Sequence, residues 1–388
     1  MSQREAWIVA AGRSPVGRAN KGSLVHWRPD DLTAAVVRGV LAKVPALPVA
    51  EIEDVIVGCA QPAGESGYNL GRVVGLLNGL PNAAGTTVNR YCASSLQAIR
   101  MAMHAILAGE GDTFVCAGVE TVSRFEKGKS DGMPDTKNPL FTGPDSKLPN
   151  VYIAMGETAE RVADQEKVTR AEMDAFAVSS QERAVKAQAD GVFASEIIPV
   201  AGVQPGTTVD RDDGPRPGTT IEKLAKLEPV FRPDGRVTAG NACPLNDGAA
   251  AVVLMSSTRA RELGIQPLAR IASSAVSAIE PELMGLGPIE ASRRALARAK
   301  MTMADVDLVE INEAFAAQVI PSARALDIPA DKLNVHGGAI ALGHPFGMTG
   351  ARIMTTLLNA LSKHDKRIGL ETMCVGGGQG MAMIVERI

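Results

Sequence analysis

Short runs rich in Val and Ile alternate with alanine-rich amphipathic segments along this chain. The runs include Val55-Ile56-Val57, Phe114-Val115-Cys116, Val252-Val253-Leu254 and Leu308-Val309-Glu310-Ile311. Runs that short read as buried strands, and the alanine-rich spacing reads as helix, so the pattern predicts an α/β protein. One helix is well marked: after the apolar stretch that ends near Asn89-Arg90-Tyr91-Cys92, it carries Leu96, Ile99, Met103, Ile106 and Leu107. The two ends of the chain also resemble each other. A shift of 258 positions carries Cys92 onto Gly350 and Cys116 onto Cys374. Between those anchors Leu96 falls on Met354, Ile99 on Leu357 and Met103 on Leu361, and both segments end in a strand followed by glycine, at Gly118 and Gly376. With a slightly different shift, Ile52 to Val57 matches Asp305 to Glu310. A duplicated α/β unit is expected; the alternative is chance likeness between amphipathic helices.

At 388 residues the chain exceeds what one hydrophobic core usually serves, so two halves are the natural expectation. Between them the character changes. Glu120 to Asn150 is rich in Gly, Pro, Lys and Asp, a helical stretch runs from Gly156 to Ala189, and Gly202 to Thr220 is again turn-forming. The expected division is residues 1–118 with 246–265 as a first half, 119–245 as an inserted loop domain, and 266–388 as a second half. Lys127, Lys129, Lys137, Lys147, Arg211, Arg216, Lys223 and Lys226 in the insertion are candidates to meet a phosphorylated ligand, although any one of them alone reads as solvated surface.

Composition narrows the function. The chain is 45% hydrophobic, yet no run approaches 18 apolar residues, and no signal-peptide layout opens it. Five widely spaced cysteines without a C-x-x-C pair suggest neither a disulfide framework nor a zinc site, so a reducing compartment and no metal are expected. A net charge of −3 with 3% aromatic residues lacks the basic stripe and stacking platform of nucleic-acid binding.

Cys92 is the leading chemical candidate. Backbone N–H groups at a helix start favour thiolate and predict a pKa below the usual ~8.5. The bland reading is an inert packed cysteine. His344, in Gly337-Gly338-Ala339-Ile340-Ala341-Leu342-Gly343-His344-Pro345, is a candidate base: glycines let a ligand approach, and Pro345 favours an extended backbone before it. His336 stands just before the same segment and reads as structural, with a place at the border of the site as the alternative. His26, His104 and His364 read as structural or solvated. Cys374 precedes Gly376-Gly377-Gly378-Gln379-Gly380, whose N–H groups suit an oxyanion hole. That run is not G-x-G-x-x-G, and Met381 to Val385 after it reads as strand, which disfavours nucleotide binding. Cys116, the repeat partner of Cys374, reads as packed core. Asn312 and Glu313 end an apolar strand, where sites assemble in α/β folds, although Asn312 could equally cap the next helix. Thr238 to Gly248 forms a turn-rich boundary that closes the insertion.

Together these segments resemble the thiolases, and the likeness spans the whole chain. Arg13-Ser14-Pro15-Val16-Gly17, Asn89-Arg90-Tyr91-Cys92, Asn312-Glu313-Ala314-Phe315, Gly343-His344-Pro345 and Cys374 with its glycines stand in the family's order. The resemblance implies the thiolase fold, in which two α/β halves stack as helix, sheet, helix, sheet and helix layers around an inserted loop domain. It implies CoA-dependent cleavage of 3-oxoacyl-CoA to acyl-CoA and acetyl-CoA, with acetoacetyl-CoA synthesis by an acetyl-CoA acetyltransferase as the alternative. By the same likeness Cys92 accepts the acyl group, His344 activates it, and Cys374 handles the proton on the α-carbon. His344 with a water held by Asn312 would serve one oxyanion hole, and the N–H groups of Cys92 and Gly376 the other. Coenzyme A is implied as co-substrate, with no tightly bound cofactor and with Arg216, Cys243, Met155 and Phe315 at its site. Cys243 departs from the serine of many relatives and is the weaker hydrogen-bonding group. Ala154 stands where acetyl-specific members often carry histidine, which inclines the reading toward degradation in β-oxidation.

The family further implies a homodimer or homotetramer; composition leads us to expect no nucleic-acid or membrane partners, and the lack of a peroxisomal address at Glu386-Arg387-Ile388 and of a transit extension leads us to expect a bacterial cytoplasmic setting. Ketoacyl synthases share the fold but not Cys374. A non-catalytic acyl-CoA-binding relative and a cysteine hydrolase are the readings from other classes.

Overall fold

The computed structural model describes residues 4–125, 136–142 and 146–388. The first half runs β1 (Ala6–Arg13), α1 (Pro29–Leu41), β2 (Asp54–Cys59), α2 (Leu70–Leu77), β3 (Ala84–Val88), α3 (Ser94–Ala108) and β4 (Thr113–Thr121). The chain then leaves the sheet, forms α4 (Met155–Gln165) and α5 (Arg170–Ala189), and returns as β5 (Asn246–Ser256), antiparallel to β4. The second half holds β6 (Ala269–Ala278), α6 (Gly287–Ala299), β7 (Leu308–Ile311), α7 (Ala316–Ala325), α8 (Thr349–Lys363), β8 (Ile368–Val375) and β9 (Gln379–Glu386).

The repeat read from the sequence is visible in the sheet. The strand order is β7-β8-β9-β6-β1-β5-β4-β2-β3. In the first half β2 pairs parallel with β3 and β4, while β5 pairs antiparallel with both β4 and β1. The second half repeats this: β7 pairs parallel with β8, β8, β9 and β6 follow antiparallel, and a parallel bridge from Val309 to Leu333 takes the place of β3. Cys116 and Cys374 lie on the equivalent strands β4 and β8. The halves join edge to edge where Trp7 pairs with Arg270 and Ile8 with Ala269.

Helices α3 and α8 lie between the halves. Leu96, Ile99 and Ile106 of α3 share a core with Met354, Leu357 and Leu361 of α8 and with the inward faces of both half-sheets. Fully burying each of these side chains contributes about 1.5–3 kcal/mol. The outward faces are covered by α1 and α2 on one side, through Leu32, Val36 and Val74, and by α6 and α7 on the other, through Ala295, Leu296 and Val319. The layers expected from the resemblance are therefore present. Gly350 is needed where the central helices cross, because a Cβ there would stand 2.5 Å from the Leu96 backbone nitrogen. The Ala351 N–H also donates to Ser95 Oγ at 2.9 Å, so the two helix starts meet head to head. That meeting point positions the site.

The helical stretch expected over Gly156 to Ala189 is two helices. Lys167 adopts φ +53°, and Thr169 with Glu172 forms a capping box that starts α5 afresh. Strand β9 follows the glycine run at Gly376 to Gly378, as the apolar pattern predicted.

Candidate active site

Cys92 sits in a single 3-10 turn, Tyr91–Ala93, that leads into α3. The turn is strained: Tyr91 has φ +43°, a region that costs a non-glycine residue of order 1–3 kcal/mol. Local hydrogen bonds hold it. The Tyr91 N–H donates to Asn89 Oδ1 at 2.8 Å, the Arg90 N–H to Ser94 Oγ at 2.9 Å, and the Ser94 hydroxyl to the Tyr91 carbonyl at 2.6 Å. Arg90 also reaches Gln379 Oε1 at 2.9 Å, which ties this turn to the glycine run.

The expectation of a lowered Cys92 pKa is corrected. Burial pushes the thiol up to about 11, and the N–H groups of Gly376 and Cys92, which favour thiolate, offset only part of that. Desolvation outweighs the helix-start field because the residue, half-buried overall, has a densely surrounded sulfur. At neutral pH Cys92 is a thiol that needs a base.

His344 is the candidate base. Its backbone N–H donates to Asn246 Oδ1 at 3.0 Å, while the Asn246 amide donates to the Gly17 carbonyl at 3.0 Å. Its ring touches two polar partners: Nε2 lies 3.3 Å from Asn312 Nδ2, and Nδ1 lies 2.6 Å from Thr349 Oγ1. The Thr349 hydroxyl donates to the Pro345 carbonyl at 2.8 Å, so Thr349 accepts from Nδ1–H. This assigns the lone pair to Nε2. Burial, with Arg352 nearby, lowers the His344 pKa to about 3, so the ring is neutral. Asn312 does not cap the next helix, because α7 begins only at Ala316. Its amide lies against His344, and its Oδ1 is buried without a partner among the described residues.

Cys374 is fully buried near the end of β8, paired with Gly380 of β9. Burial raises its pKa well above the usual thiol value, with Cys92 and then Cys243 adding to the effect. Cys374 is thus a neutral thiol at rest. Gly377 and Gly378, at φ +77° and +80°, make the turn that aims the Gly376 N–H at Cys92.

A cavity of about 570 Å³ brings Cys92, His344 and Cys374 together. Arg216, Cys243, Met155 and Phe315 line the same cavity, as does Ala154. The Arg216 N–H donates to Gln181 Oε1 at 2.8 Å, and its guanidinium lies near that of Arg18. Two close cations, with no carboxylate in the wall among the described residues, suit an anionic group such as a phosphate. Lys147, Arg211, Lys223 and Lys226 do not line the cavity. Lys127 and Lys129 lie outside the described residues. Lys137 lines a second cavity of about 490 Å³ that meets the first at Cys92, Met155 and Phe346.

Other residues fall into structural roles. Glu313 accepts from Ser180 Oγ, Asn334 Nδ2 and the Ile340 N–H at 2.6, 2.8 and 3.1 Å, and so anchors the turn before His344. His336 lines neither cavity; it stacks on His364 with ring centroids 5.2 Å apart. Cys116 is packed core, with its thiol 3.4 Å from the Ala98 carbonyl.

Sequence reasoning missed Thr349, Asn246 and Glu120. Thr349 stands five residues past His344, and Asn246 was seen only as the end of a turn. Glu120 is buried and accepts from the N–H groups of Ala60 and Gly347, each at 2.9 Å, so it pins the His344 loop to the end of β2. A carboxylate closing an all-apolar strand run was the one signal available.

Comparison with known proteins agrees with this constellation. Residues 6–258 match the thiolase N-terminal domain and residues 265–387 the thiolase C-terminal domain. The chain is 45% identical to 3-oxoadipyl-CoA/3-oxo-5,6-dehydrosuberyl-CoA thiolase of Escherichia coli K12, over 99% of this chain and 100% of that one. It is 43% identical to 3-ketoacyl-CoA thiolase of Bacillus subtilis 168, over 99% of each. Among solved structures, human mitochondrial 3-ketoacyl-CoA thiolase superposes with a TM-score of 0.89 at 35% identity over 100% of both chains. Bacillus anthracis acetyl-CoA acetyltransferase gives 0.89 at 36% identity, over 100% of this chain and 99% of that one. With both family domains matched along its length and Cys92, His344 and Cys374 lining one cavity, the chain belongs to the thiolase family of acyltransferases.

Proposed function

We propose that this thiolase cleaves 3-oxoacyl-CoA with free CoA, dividing the work between Cys92 and Cys374. The supporting observation is the shared cavity, in which a thiol, a neutral imidazole with its lone pair on Nε2, and a second thiol stand together. The Cys92 proton passes to His344 Nε2 as Sγ attacks the ketone carbon. The bond between the α-carbon and that carbon breaks, and its electron pair forms the enolate of acetyl-CoA. Cys374 protonates the α-carbon, acetyl-CoA leaves, and the acyl group remains on Cys92. Free CoA then gives its thiol proton to the Cys374 thiolate and attacks the acyl-Cys92 carbonyl. Cys92 departs with the proton held by His344, and acyl-CoA is released.

Both addition steps place negative charge on an oxygen. The N–H groups of Cys92 and Gly376 form one oxyanion hole in this scheme, and His344 with a water held by Asn312 forms the other. The buried, unpartnered Asn312 Oδ1 leaves acceptor capacity for that water. Arg216, with Arg18 beside it, takes the phosphates of CoA, while Cys243, Met155 and Phe315 flank the pantetheine arm. The segment 119–245 acts as the CoA-gripping insertion. The cysteines are all free thiols, which fits a reducing cytoplasm, and no helix among the described residues is long and apolar enough to cross a membrane. The edge strand β3 and the exposed Leu76 and Leu77 support at least a homodimer.

The test is free-CoA-dependent cleavage of 3-oxoacyl-CoA substrates from four carbons upward, with Cys92→Ser protein alongside. Cleavage of longer chains is the expected result. Activity confined to four carbons would favour the acetyl-CoA acetyltransferase reading, and no cleavage at any length would overturn the proposal.

A further inference from the structure

The second cavity is not needed for CoA, whose proposed contacts all line the first. It meets the first at Cys92, Met155 and Phe346 and holds about 490 Å³, within the range of small-ligand pockets. Its wall carries apolar Val151, Ile153 and Phe346, while Gln61, Tyr91, Tyr152, Thr136 and Lys137 bring polar groups to the same cavity. Its described wall contains no aspartate or glutamate.

The segment bearing Lys137 is attached to that wall. The Asn138 N–H donates to the Tyr152 hydroxyl at 3.3 Å, and Phe141 meets Tyr152 edge-on with ring centroids 5.8 Å apart. Tyr152 itself lines the cavity. Lys137 is exposed and makes no ion pair among the described residues, so its charge is available to a ligand. A cavity that holds Cys92, apolar side chains and one ammonium without an ion pair among the described residues is matched to an acyl chain ending in an anion. A wholly apolar chain would gain nothing from that ammonium and would partly desolvate it.

We propose that the second cavity selects 3-oxoacyl-CoA substrates whose acyl chain ends in a carboxylate, and that Lys137 is the residue that reads that carboxylate. This rests on the function proposed above and names its substrate class. An ammonium–carboxylate contact in a partly open site is worth less than a buried one, and an effect of about tenfold in kcat/KM is the expected size.

The test compares two six-carbon substrates, 3-oxohexanoyl-CoA and its ω-carboxylated counterpart 3-oxoadipyl-CoA, on wild-type, Lys137→Met and Lys137→Arg proteins. The expected results are a wild-type kcat/KM at least several-fold higher for the carboxylated substrate, a ratio that falls about tenfold in Lys137→Met, and substantial recovery in Lys137→Arg. Raised ionic strength should compress the wild-type ratio in the same direction. Equal wild-type kcat/KM for the two substrates would overturn the inference while leaving the thiolase reaction in place, as would a Lys137→Met ratio equal to the wild-type ratio. Failure to cleave either substrate would instead remove the proposed function, and this inference with it.

Discussion

Asn312 Nδ2 stands 3.3 Å from His344 Nε2, and Thr349 Oγ1 stands 2.6 Å from the opposite ring nitrogen, so the imidazole is held by both edges. Removing the amide by Asn312→Ala should lower kcat by about 10²-fold, the scale of losing one preorganised donor, with a smaller change in KM. Steady-state kinetics checks this, and an unchanged kcat would show that Asn312 only packs.

Thr349→Val should leave the buried His344 Nδ1–H without an acceptor. That costs about 1–3 kcal/mol, or roughly 5- to 150-fold in rate if it falls on the transition state. Thr349→Ser retains the hydroxyl and should recover most of the loss. Equal activity in all three proteins would mean that the tautomer is set elsewhere.

In the free enzyme the Cys92 pKa of about 11 predicts a thiol with little thiolate at neutrality. Below its pKa the thiolate fraction rises about tenfold per pH unit. Alkylation of Cys92 by iodoacetamide, followed by mass spectrometry between pH 6 and 9, should therefore accelerate at close to that slope without a plateau. A plateau near pH 7 would restore the low pKa that the helix start alone suggests.

The strand pattern, the duplication and the candidate residues that share the cavity were legible because each leaves a local mark: an apolar run, a matched helix face, a cysteine before small residues. The pKa of Cys92 was not. Its sign depends on how much protein surrounds the sulfur, and that protein comes from β8, the glycine turn and the insertion, all distant in sequence. The same holds for Glu120 and Asn246, whose contacts with Gly347 and His344 cross from the first half to the second. Asn312 was placed correctly at a strand end, but only the fold distinguishes a helix cap from a partner for histidine.

A buried carboxylate pair outside the site gives a prediction about stability. Glu310 and Glu371 are register partners on β7 and β8, and both are buried. Burial raises Glu310 to about 8 and raises Glu371 well above the usual carboxylate value, with Arg352 opposing both. A raised carboxylate pKa means that the fold prefers the acid form. The associated stability is full below the unfolded value of ~4.3 and is lost as pH rises through the folded value. Glu371→Gln should thus gain melting temperature relative to wild type on going from pH 5 to pH 9, by about 2–4 °C for each kcal/mol relieved. A difference that stays constant with pH would contradict the assignment.

The most direct test of the division of labour is a single turnover with a 3-oxoacyl-CoA substrate in the absence of free CoA. Acetyl-CoA release and the intact protein mass are followed together. The wild-type protein should release one equivalent of acetyl-CoA and gain one acyl group, mapped by peptide analysis to Cys92. Cys374→Ser should still be acylated by a simple acyl-CoA yet release acetyl-CoA far more slowly from the 3-oxo substrate. An acyl group stably mapped to another residue, or equal loss of both reactions in Cys374→Ser, would contradict the roles assigned to the two cysteines.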